Sequence, residues 1–304
     1  MEKESCRLLH SRGGKPIVLK HHFGKPLPTG RVLILGAGFV GGEVARRLAF
    51  KGWKVSALRS ADLDLTTENA GEKLSAHFEA GDTLVFVSAK APVKNPDMLV
   101  ANLRMAQAVL KACAKTVPAH LVYVSSDAVY ADEPRPLSEA TPTAPSSLHG
   151  VMHLARELML QTLGNIPLAV VRPTLVYGEG DPHNGYGPNQ FLRLARQKKA
   201  IVLFGEGEER RDHVHVGDVG EILARVVVHQ STGTVNAVSG EVHSFREIAE
   251  RVARLAGIPV HASARRGSMP HGGFRPFDAR ALEAAFPGWK SVRLPDQLVR
   301  QLAV

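Results

Sequence analysis

The sequence predicts an α/β protein with a doubly wound parallel sheet. Short aliphatic runs alternate with helical stretches through the first two thirds of the 304-residue chain. These runs are continuously apolar, which is typical of strands buried on both faces of a parallel sheet. A glycine-rich turn follows the first run directly, where such folds bring their first strand into a helix.

The predicted elements follow this alternation in chain order. The first strand, Arg31–Leu35, leads into a helix over Glu43–Phe50 that Gly52 ends. The next strands are predicted at Lys54–Leu58, Thr83–Val87, His120–Ser125 and Leu168–Arg172, with helices at Met98–Ala114 and Gly150–Leu163. The last third, rich in Gly, Pro, His and Arg, has predicted helices at Gln190–Gln197, Phe245–Ala256 and Ala279–Phe286, and we expect a return to the sheet near Thr234–Val238.

Composition and charge exclude several classes of protein. Hydrophobic residues make up 44% and charged residues 22%, which suits a packed core. No apolar run approaches the ~18 residues of a membrane span, and the first thirty residues lack a secretory signal. The two cysteines, Cys6 and Cys113, build neither a disulfide framework nor a cysteine zinc site. We therefore expect a cytoplasmic protein that does not enter a membrane.

The formal net charge of +9 is spread along the chain. Residues 1–30 hold six Lys or Arg against Glu2 and Glu4, and elsewhere the basic residues stand in dispersed pairs. No nucleic-acid-binding signature accompanies them. We expect a small anionic ligand and no nucleic acid.

A G-x-G-x-x-G motif joins the first strand to its helix. The first glycine permits a tight turn, the second lets the backbone approach a pyrophosphate, and the third lets helix and strand pack closely. Phosphate oxygens would then meet free N–H groups at the helix start. The motif predicts a Rossmann-type dinucleotide site formed by Gly36, Gly38, Phe39, Val40 and Gly41.

The end of the second strand bears on the choice between NAD and NADP. An NAD site usually has Asp or Glu about 20 residues beyond the glycines, where it binds the ribose hydroxyls. Arg59 and Ser60 stand at this place, and a guanidinium with a hydroxyl can bind a 2′-phosphate. NADP(H) is therefore favoured over NAD(H), with a solvated surface arginine as the alternative.

The change of composition predicts two lobes and an arm. Residues 31–178 and 213–240 are assigned to the dinucleotide-binding domain, and residues 179–212 and 241–304 to a smaller substrate-binding lobe at the carboxyl edge of the sheet. Residues 1–30 are assigned to a basic N-terminal arm.

From Arg31 onward the chain resembles the extended short-chain dehydrogenase/reductases of the NAD(P)-dependent nucleotide-sugar epimerase/dehydratase group. Besides the glycine motif, the matching segments are Asp62–Leu65, Asp82–Ala89, Ser125–Tyr130, Arg172–Gly178 and Gly205–Asp218. The resemblance implies that Asp82–Ala89 is the family's fourth strand with its cofactor-lining turn. It also implies further cofactor-binding residues, which are Asp64, Leu65, Ser88, Ala89, Lys90, Asn102, Ser125 and Pro173.

The Tyr-x-x-x-Lys pair of that family is replaced in this chain. In the family, the lysine lowers the pKa of the tyrosine, whose phenolate takes a proton while hydride moves to the cofactor. Alignment of the segment 146–157 puts His149 at the Tyr position and His153 at the Lys position, and no other Tyr-x-x-x-Lys occurs. Tyr130 and Tyr177 match structural tyrosines of the family and are poor substitutes.

Three interpretations of this histidine pair stay open. The imidazoles could exchange a proton with a sugar oxygen, because they titrate near neutral pH. They could bind a metal, but the glutamate of H-E-x-x-H is Gly150 and no third ligand is obvious, so we predict no metal. They could also be remnants in a protein that only binds its ligands.

The resemblance implies the remaining site residues. Ser126 matches the hydroxyl that polarises the sugar, and Asp127 matches the general acid of dehydratases, whose neighbouring glutamate is Ala128 here. The candidate catalytic residues are thus Ser126, Asp127, His149 and His153. Arg211 resembles the arginine that clamps the substrate diphosphate. The candidate substrate-binding residues are Thr174, Asn189, Arg211 and Arg266.

The sequence therefore predicts an NADP(H)-dependent oxidoreductase or epimerase. Its substrate would be a nucleotide-activated sugar, and its reaction keto-sugar reduction or epimerisation. The resemblance also implies a homodimer. The alternative is a regulatory or scaffold protein of the same fold that binds NADP without turnover.

Overall fold

The computed structural model describes residues 19–265 and 267–302. Its strands are β1 (Arg31–Leu35), β2 (Lys54–Leu58), β3 (Thr83–Phe86), β4 (His120–Val124), β5 (Leu168–Pro173), β6 (Leu175–Tyr177), β7 (Ile201–Phe204), β8 (Arg210–His215), β9 (Gly233–Ala237), β10 (Val242–Ser244), β11 (Val260–Ser263) and β12 (Phe274–Arg275). Its helices are α1 (Phe39–Phe50), α2 (Ala70–Ser75), α3 (Pro96–Lys115), α4 (Leu148–Gln161), α5 (Pro188–Arg196), α6 (Val216–Val228), α7 (Phe245–Ala256), α8 (Arg280–Ala285) and α9 (Leu294–Leu302). No helix in these ranges is long and apolar enough to cross a bilayer.

The main sheet has six strands in the order β2-β1-β3-β4-β5-β9, and each neighbouring pair is parallel. The α/β class and the parallel sheet are confirmed, as is the predicted return of the chain in β9. Strand order reverses between β1 and β3. Ligands of open α/β sheets bind at the carboxyl ends of the strands at such a reversal.

Both faces of this sheet are buried, which explains the continuously apolar strands. Val32 and Ile34 of β1 belong to a core that α1 and α6 complete. Leu33 and Leu35 point the other way, into a core that α2 and α3 complete. Successive side chains of one strand thus enter different cores, so neither face leaves a polar stripe in the sequence.

The chain changes sheets directly after β5. Strand β6 pairs in parallel with β8, within a smaller sheet in the order β10-β8-β12. Helices α5, α7 and α9 surround a third core that includes Phe191, Leu203, Ile248 and Leu298. The predicted helices of the last third correspond to α5, α7 and α8, whereas α2, α6, α9, the small sheet and the pair of β7 with β11 were not predicted.

Two further details differ from the sequence-based expectations. The segment Asp82–Ala89 contains the third strand along the chain and not a fourth, because only the short helix α2 lies between β2 and β3. Residues 1–18 of the basic arm lie outside the described residues. Residues 19–30 lie against the main sheet, where the Lys20 and Thr232 backbones form an antiparallel bridge with N–O distances of 2.8 Å.

Candidate active site

The glycine turn between β1 and α1 has the geometry that its motif requires. Gly36 has a φ of +99°, and a Cβ there would lie 2.7 Å from the Ser88 nitrogen. A Cβ on Gly41 would lie 2.0 Å from the Gly36 oxygen, so helix and turn are in direct contact. A Cβ on Gly38 would meet nothing within 4 Å. The first and third glycines are therefore needed for packing, and the second faces open space.

The start of α1 fits a dinucleotide diphosphate. Gly38 is the N-cap and offers no side chain to the first N–H groups, which belong to residues such as Phe39 and Val40. Uncapped N–H groups at a helix start attract anions through their partial positive charge. The open space at Gly38 lies at the same place, so the turn can accept phosphate oxygens.

Arg59 and Ser60 are exposed directly after β2. Neither side chain makes a hydrogen bond or ion pair within the described ranges, so both are available to a ligand. The nearby Asp64 carboxylate instead accepts hydrogen bonds from the Thr66 hydroxyl (2.7 Å) and backbone (2.9 Å), and these bonds lower the pKa of Asp64. Leu65 is buried in the core on that side of the sheet.

The turn after β3, Ser88–Lys90, is held by Asn102. This asparagine is fully buried on α3, accepts a hydrogen bond from the Lys90 nitrogen (3.0 Å) and donates one to the Lys90 oxygen (2.9 Å). Ala89 and the Lys90 side chain are exposed. Asn102 therefore fixes the backbone of the turn Ser88–Lys90.

Arg156 of α4 supports the same turn and was missed in the sequence. Its guanidinium is fully buried and donates to the Ser88 oxygen (2.8 Å), the Asn102 oxygen (2.8 Å) and the Asn102 Oδ1 (2.9 Å). It also lies 4.7 Å from the centroid of the Phe86 ring. One feature of the sequence could have identified it: an arginine stands three residues beyond His153, on the apolar face of the same helix.

His149 and His153 lie together on the first turns of α4. Their ring centroids are 4.7 Å apart, with the ring planes at 88°. His153 is buried, and its Nδ1 lies 2.8 Å from the Tyr123 hydroxyl of β4. His149 is partly exposed, although its Nδ1 is buried and has no hydrogen-bond partner among the described residues.

Burial lowers the pKa of both histidines. For His149, desolvation is the largest cause, and the Asp127 carboxylate acts in the opposite direction. The pKa of His153 lies well below 6.5 because of desolvation, with the charges of His149 and Arg156 adding to the effect. Both imidazoles are therefore neutral at pH 7. Within the described ranges, no cluster of three or more potential metal ligands occurs.

Ser126 and Asp127 follow β4 at the same edge of the sheet. The Ser126 hydroxyl accepts a hydrogen bond from the Ala128 nitrogen (3.1 Å) and donates to Asp127 Oδ1 (3.3 Å). Asp127 Oδ2 accepts from Arg275 Nε (3.3 Å), and Arg211 Nη2 lies 3.9 Å away. Two arginines thus hold the carboxylate in place beside the histidine pair.

Ser125 belongs to a buried network behind the site. Its hydroxyl donates to Glu157 Oε1 (2.5 Å), and Glu157 pairs with Arg172 (2.9 Å between Nε and Oε1). Arg172 Nη1 donates a hydrogen bond to the Tyr130 hydroxyl (2.9 Å). Tyr130 and Tyr177 are both buried, in keeping with structural roles. Pro173, the last residue of β5, is buried as well.

The predicted substrate-binding residues differ in their burial and in their hydrogen-bond partners. Arg211 of β8 is partly buried and pairs with Glu209 (3.1 Å) in addition to facing Asp127. The Thr174 hydroxyl donates to the buried Asp212 (2.9 Å). The Asn189 side chain binds the Gly178 nitrogen (2.9 Å) and Asp181 (2.9 Å), and so shapes a loop. Arg266 lies outside the described residues.

Comparisons with known proteins agree with this geometry. Residues 32–238 match the NAD dependent epimerase/dehydratase family. A dTDP-L-rhamnose 4-epimerase of Burkholderia thailandensis is 30% identical over 145 residues, which are 44% of this chain and 40% of that protein, so the chain spans less than half of that relative. Two solved structures have the same fold. The UDP-glucose 4-epimerase of Thermus thermophilus with NAD has a TM-score of 0.77 at 24% identity, covering 90% of this chain and 98% of that one. RMD of Pseudomonas aeruginosa with NADPH has a TM-score of 0.77 at 22% identity, with the same coverage.

Proposed function

Because the chain belongs to the NAD-dependent epimerase/dehydratase family, we propose that it is an NADP(H)-dependent enzyme that reduces or epimerises a nucleotide-activated sugar. The position of His149 is the observation that carries this proposal. It stands at the tyrosine position that the resemblance implies, lies close enough to Asp127 for that carboxylate to act on its pKa, and is neutral at pH 7 because burial lowers its pKa. A neutral, partly exposed imidazole at the carboxyl edge of the sheet can serve as a general base.

The bound nicotinamide would exchange a hydride with a sugar carbon. In the oxidation direction, His149 takes the proton of the sugar hydroxyl, and in the reduction direction the protonated His149 returns a proton to the keto oxygen. The Ser126 hydroxyl, by rotating from Asp127, donates a hydrogen bond to the same oxygen. Asp127 stabilises the imidazolium that forms, because its negative charge favours protonation of His149.

The preference for NADP(H) is supported by Arg59 and Ser60. Both are exposed next to the place of the adenosine ribose, and neither has a side-chain partner within the described part of the chain. Related structures contain either NAD or NADPH. The choice between the two cofactors therefore depends on the residues of this chain. A guanidinium and a hydroxyl favour a 2′-phosphate.

Arg211 supports an anionic substrate. It lies between Glu209 and Asp127 on β8, the central strand of the small sheet, and β12 places Arg275 directly beside it in the strand register. Arg275 is fully buried and its guanidinium is bound to Asp127 and Asp132, so the partly buried Arg211 is the member of this pair that can bind a diphosphate through charge-assisted hydrogen bonds.

A homodimer is part of the proposal. Exposed apolar side chains on α3 and α4, among them Val100, Val151 and Leu158, support an interface on these two helices. The mass of the protein in solution, measured by analytical ultracentrifugation, tests this part.

The proposed function is tested by binding and turnover on the same preparation. Calorimetry with NADPH and NADH, and with uridine-, thymidine- and guanosine-diphosphate sugars, identifies the ligands. Absorbance of the reduced nicotinamide then follows keto-sugar reduction, and chromatography of the sugar product detects epimerisation, which leaves the cofactor unchanged. Turnover supports the enzyme, and failure to bind either cofactor contradicts it.

A second candidate is an NADP-binding protein without turnover. The replacement of both Tyr and Lys by His149 and His153 favours it. Binding of cofactor and nucleotide sugar with neither a change in nicotinamide absorbance nor a new sugar epimer would establish this second function.

A further inference from the structure

Tyr123 and Arg156 are buried beside His153. Tyr123 is fully buried on β4, and its hydroxyl lies 2.8 Å from His153 Nδ1. The Arg156 guanidinium is close to the same hydroxyl, where its charge and donor groups oppose the rise that burial causes in the pKa of Tyr123. The three side chains therefore form one buried polar group.

The direction of the hydrogen bond between Tyr123 and His153 follows from this arrangement. A guanidinium has only donors, so the tyrosine proton cannot point toward Arg156. His153 Nδ1 is the one acceptor that the described residues offer to this hydroxyl. Tyr123 thus donates, and Nδ1 accepts.

The position of the imidazole hydrogen then follows as well. A neutral imidazole has one N–H, and Nδ1 is used as an acceptor, so the hydrogen is on Nε2. Nε2 has no hydrogen-bond partner among the described residues, yet it is not fully buried. It therefore keeps a small contact with solvent.

We infer that Tyr123 and Arg156 are positioning residues that hold His153 as its Nε2–H tautomer, so that His153 offers the site a neutral N–H donor in place of a lysine ammonium. A nitrogen that already carries hydrogen cannot act as a base. Of the pair, only His149 can then accept a proton from a substrate. This consequence rests on the proposed function, whereas the tautomer is a property of the free protein.

The tautomer is measured by two-bond ¹H–¹⁵N correlation spectra of the full chain labelled with ¹⁵N-histidine, without ligands. The His153 signals are those lost in His153→Gln. We expect Nδ1 at the frequency of an unprotonated ring nitrogen and Nε2 at that of a protonated one, from about pH 6 to pH 8. In Tyr123→Phe the donor is gone, and the two signals should move toward an average of the tautomers.

Tyr130→Phe is the matched control, because it removes the hydroxyl of another buried tyrosine that does not contact His153. It should leave the His153 pattern unchanged. Hydrogen on Nδ1, or averaged tautomers in the wild type, would overturn the inference, and so would an unchanged pattern in folded Tyr123→Phe. Should that variant not fold, the wild-type spectrum alone decides. A fixed Nε2–H pattern in a protein without turnover would uphold the tautomer and contradict only the proposed enzyme.

Discussion

At the scale of single residues, the proposed preference for NADP(H) depends on Arg59. In Arg59→Asp, a carboxylate replaces the exposed guanidinium after β2, repels a 2′-phosphate and can accept hydrogen bonds from ribose hydroxyls. We expect the preference to invert, with NADP(H) affinity falling roughly ten- to a hundredfold. Calorimetry with NADPH and NADH measures both affinities.

Arg251→Asp is the matched control for this change. Arg251 is an exposed arginine on α7, so the same charge change there should leave cofactor affinity unaltered. Equal affinities of the wild type for NADPH and NADH would contradict the role of Arg59.

Arg211 is the residue on which substrate binding should depend most. Arg211→Ala removes the β8 guanidinium that lies between the Glu209 and Asp127 carboxylates. We expect binding of the nucleotide sugar to weaken much more than binding of NADP(H), because only the sugar's diphosphate would contact Arg211. Calorimetric titrations of each ligand with the variant measure the two losses.

The neighbouring Arg210 provides the control, since it is exposed on the same strand and lies over the Phe274 ring. Arg210→Ala should bind both ligands normally. Equal losses of both ligands in Arg211→Ala would indicate damage to the fold, and no loss of either would exclude Arg211 from the site.

Local motifs identified some site residues but not those that support them. The glycines could be recognised from their spacing after the first strand, and His149 from the resemblance of its segment to the family's Tyr-x-x-x-Lys motif. Arg275 contacts Asp127 across 148 positions of sequence, and Tyr123 contacts His153 across 30. Such contacts depend on how strands and helices are brought together, which no local pattern records.

At the scale of elements, the contact between α1 and its turn makes a glycine pair informative. A Cβ on Gly41 would lie 2.0 Å from the Gly36 oxygen, whereas one on Gly42 would meet only the Ala37 oxygen at 3.9 Å. Gly41→Ala should destabilise the fold by about 1–3 kcal/mol or more, as overpacking does. Gly42→Ala should stabilise it by about 0.4–1 kcal/mol, because alanine restricts the unfolded chain.

Urea unfolding of the two variants measures these free energies, and NADPH titration shows whether the turn survives. Both residues belong to the same helix and receive the same methyl group, so helix propensity cannot separate them. Equal unfolding free energies of the two variants would show that the protein accommodates a Cβ at position 41 without loss of stability.

The elements that could be predicted are those with a strong pattern of apolar residues, either a continuous run or one helix face. The strands of the main sheet are short aliphatic runs, and α3 and α7 have clear apolar faces. The small sheet could not be predicted, because β6, β10 and β12 are only two or three residues long. Strand β8, with the sequence RRDHVH, has no apolar alternation. Its buried residues include Asp212 and His213, whose side chains form specific hydrogen bonds inside the protein.

At the scale of the whole molecule, buried histidines link stability to pH. His120 of β4 is fully buried, donates from Nε2 to the Ser231 oxygen (2.7 Å), and has its pKa lowered to about 4 by desolvation. An unfolded histidine binds its proton below about pH 6.5. The folded protein therefore loses stability from this group as pH falls from about 6.5 to about 4.

His120→Gln removes that loss. The difference in unfolding free energy between wild type and variant should change by up to roughly 3 kcal/mol between pH 6.5 and pH 4, to the disadvantage of the wild type. Urea unfolding at a series of pH values measures it, with exposed His77→Gln as the control that should follow the wild type. Parallel curves for His120→Gln and wild type would contradict the lowered pKa.

In the proposed reaction, His149 carries the proton. Because burial lowers its pKa, the oxidation rate should decline as pH falls through a value below 6.5 and stay level above it. Turnover should also be slow for the family, since a misplacement of about 1 Å can cost ~10²-fold. The proton role itself is separated from these effects by removing the imidazole.

Single-turnover hydride transfer, measured with a nucleotide sugar that binds, compares wild type, His149→Ala and His77→Ala, which removes an exposed histidine. We expect His149→Ala to lose roughly 10²–10⁴-fold of the rate, the usual share of a general acid/base. His77→Ala should keep the wild-type rate. Equal rates for wild type and His149→Ala would contradict the account, because the proton would then be carried by another group.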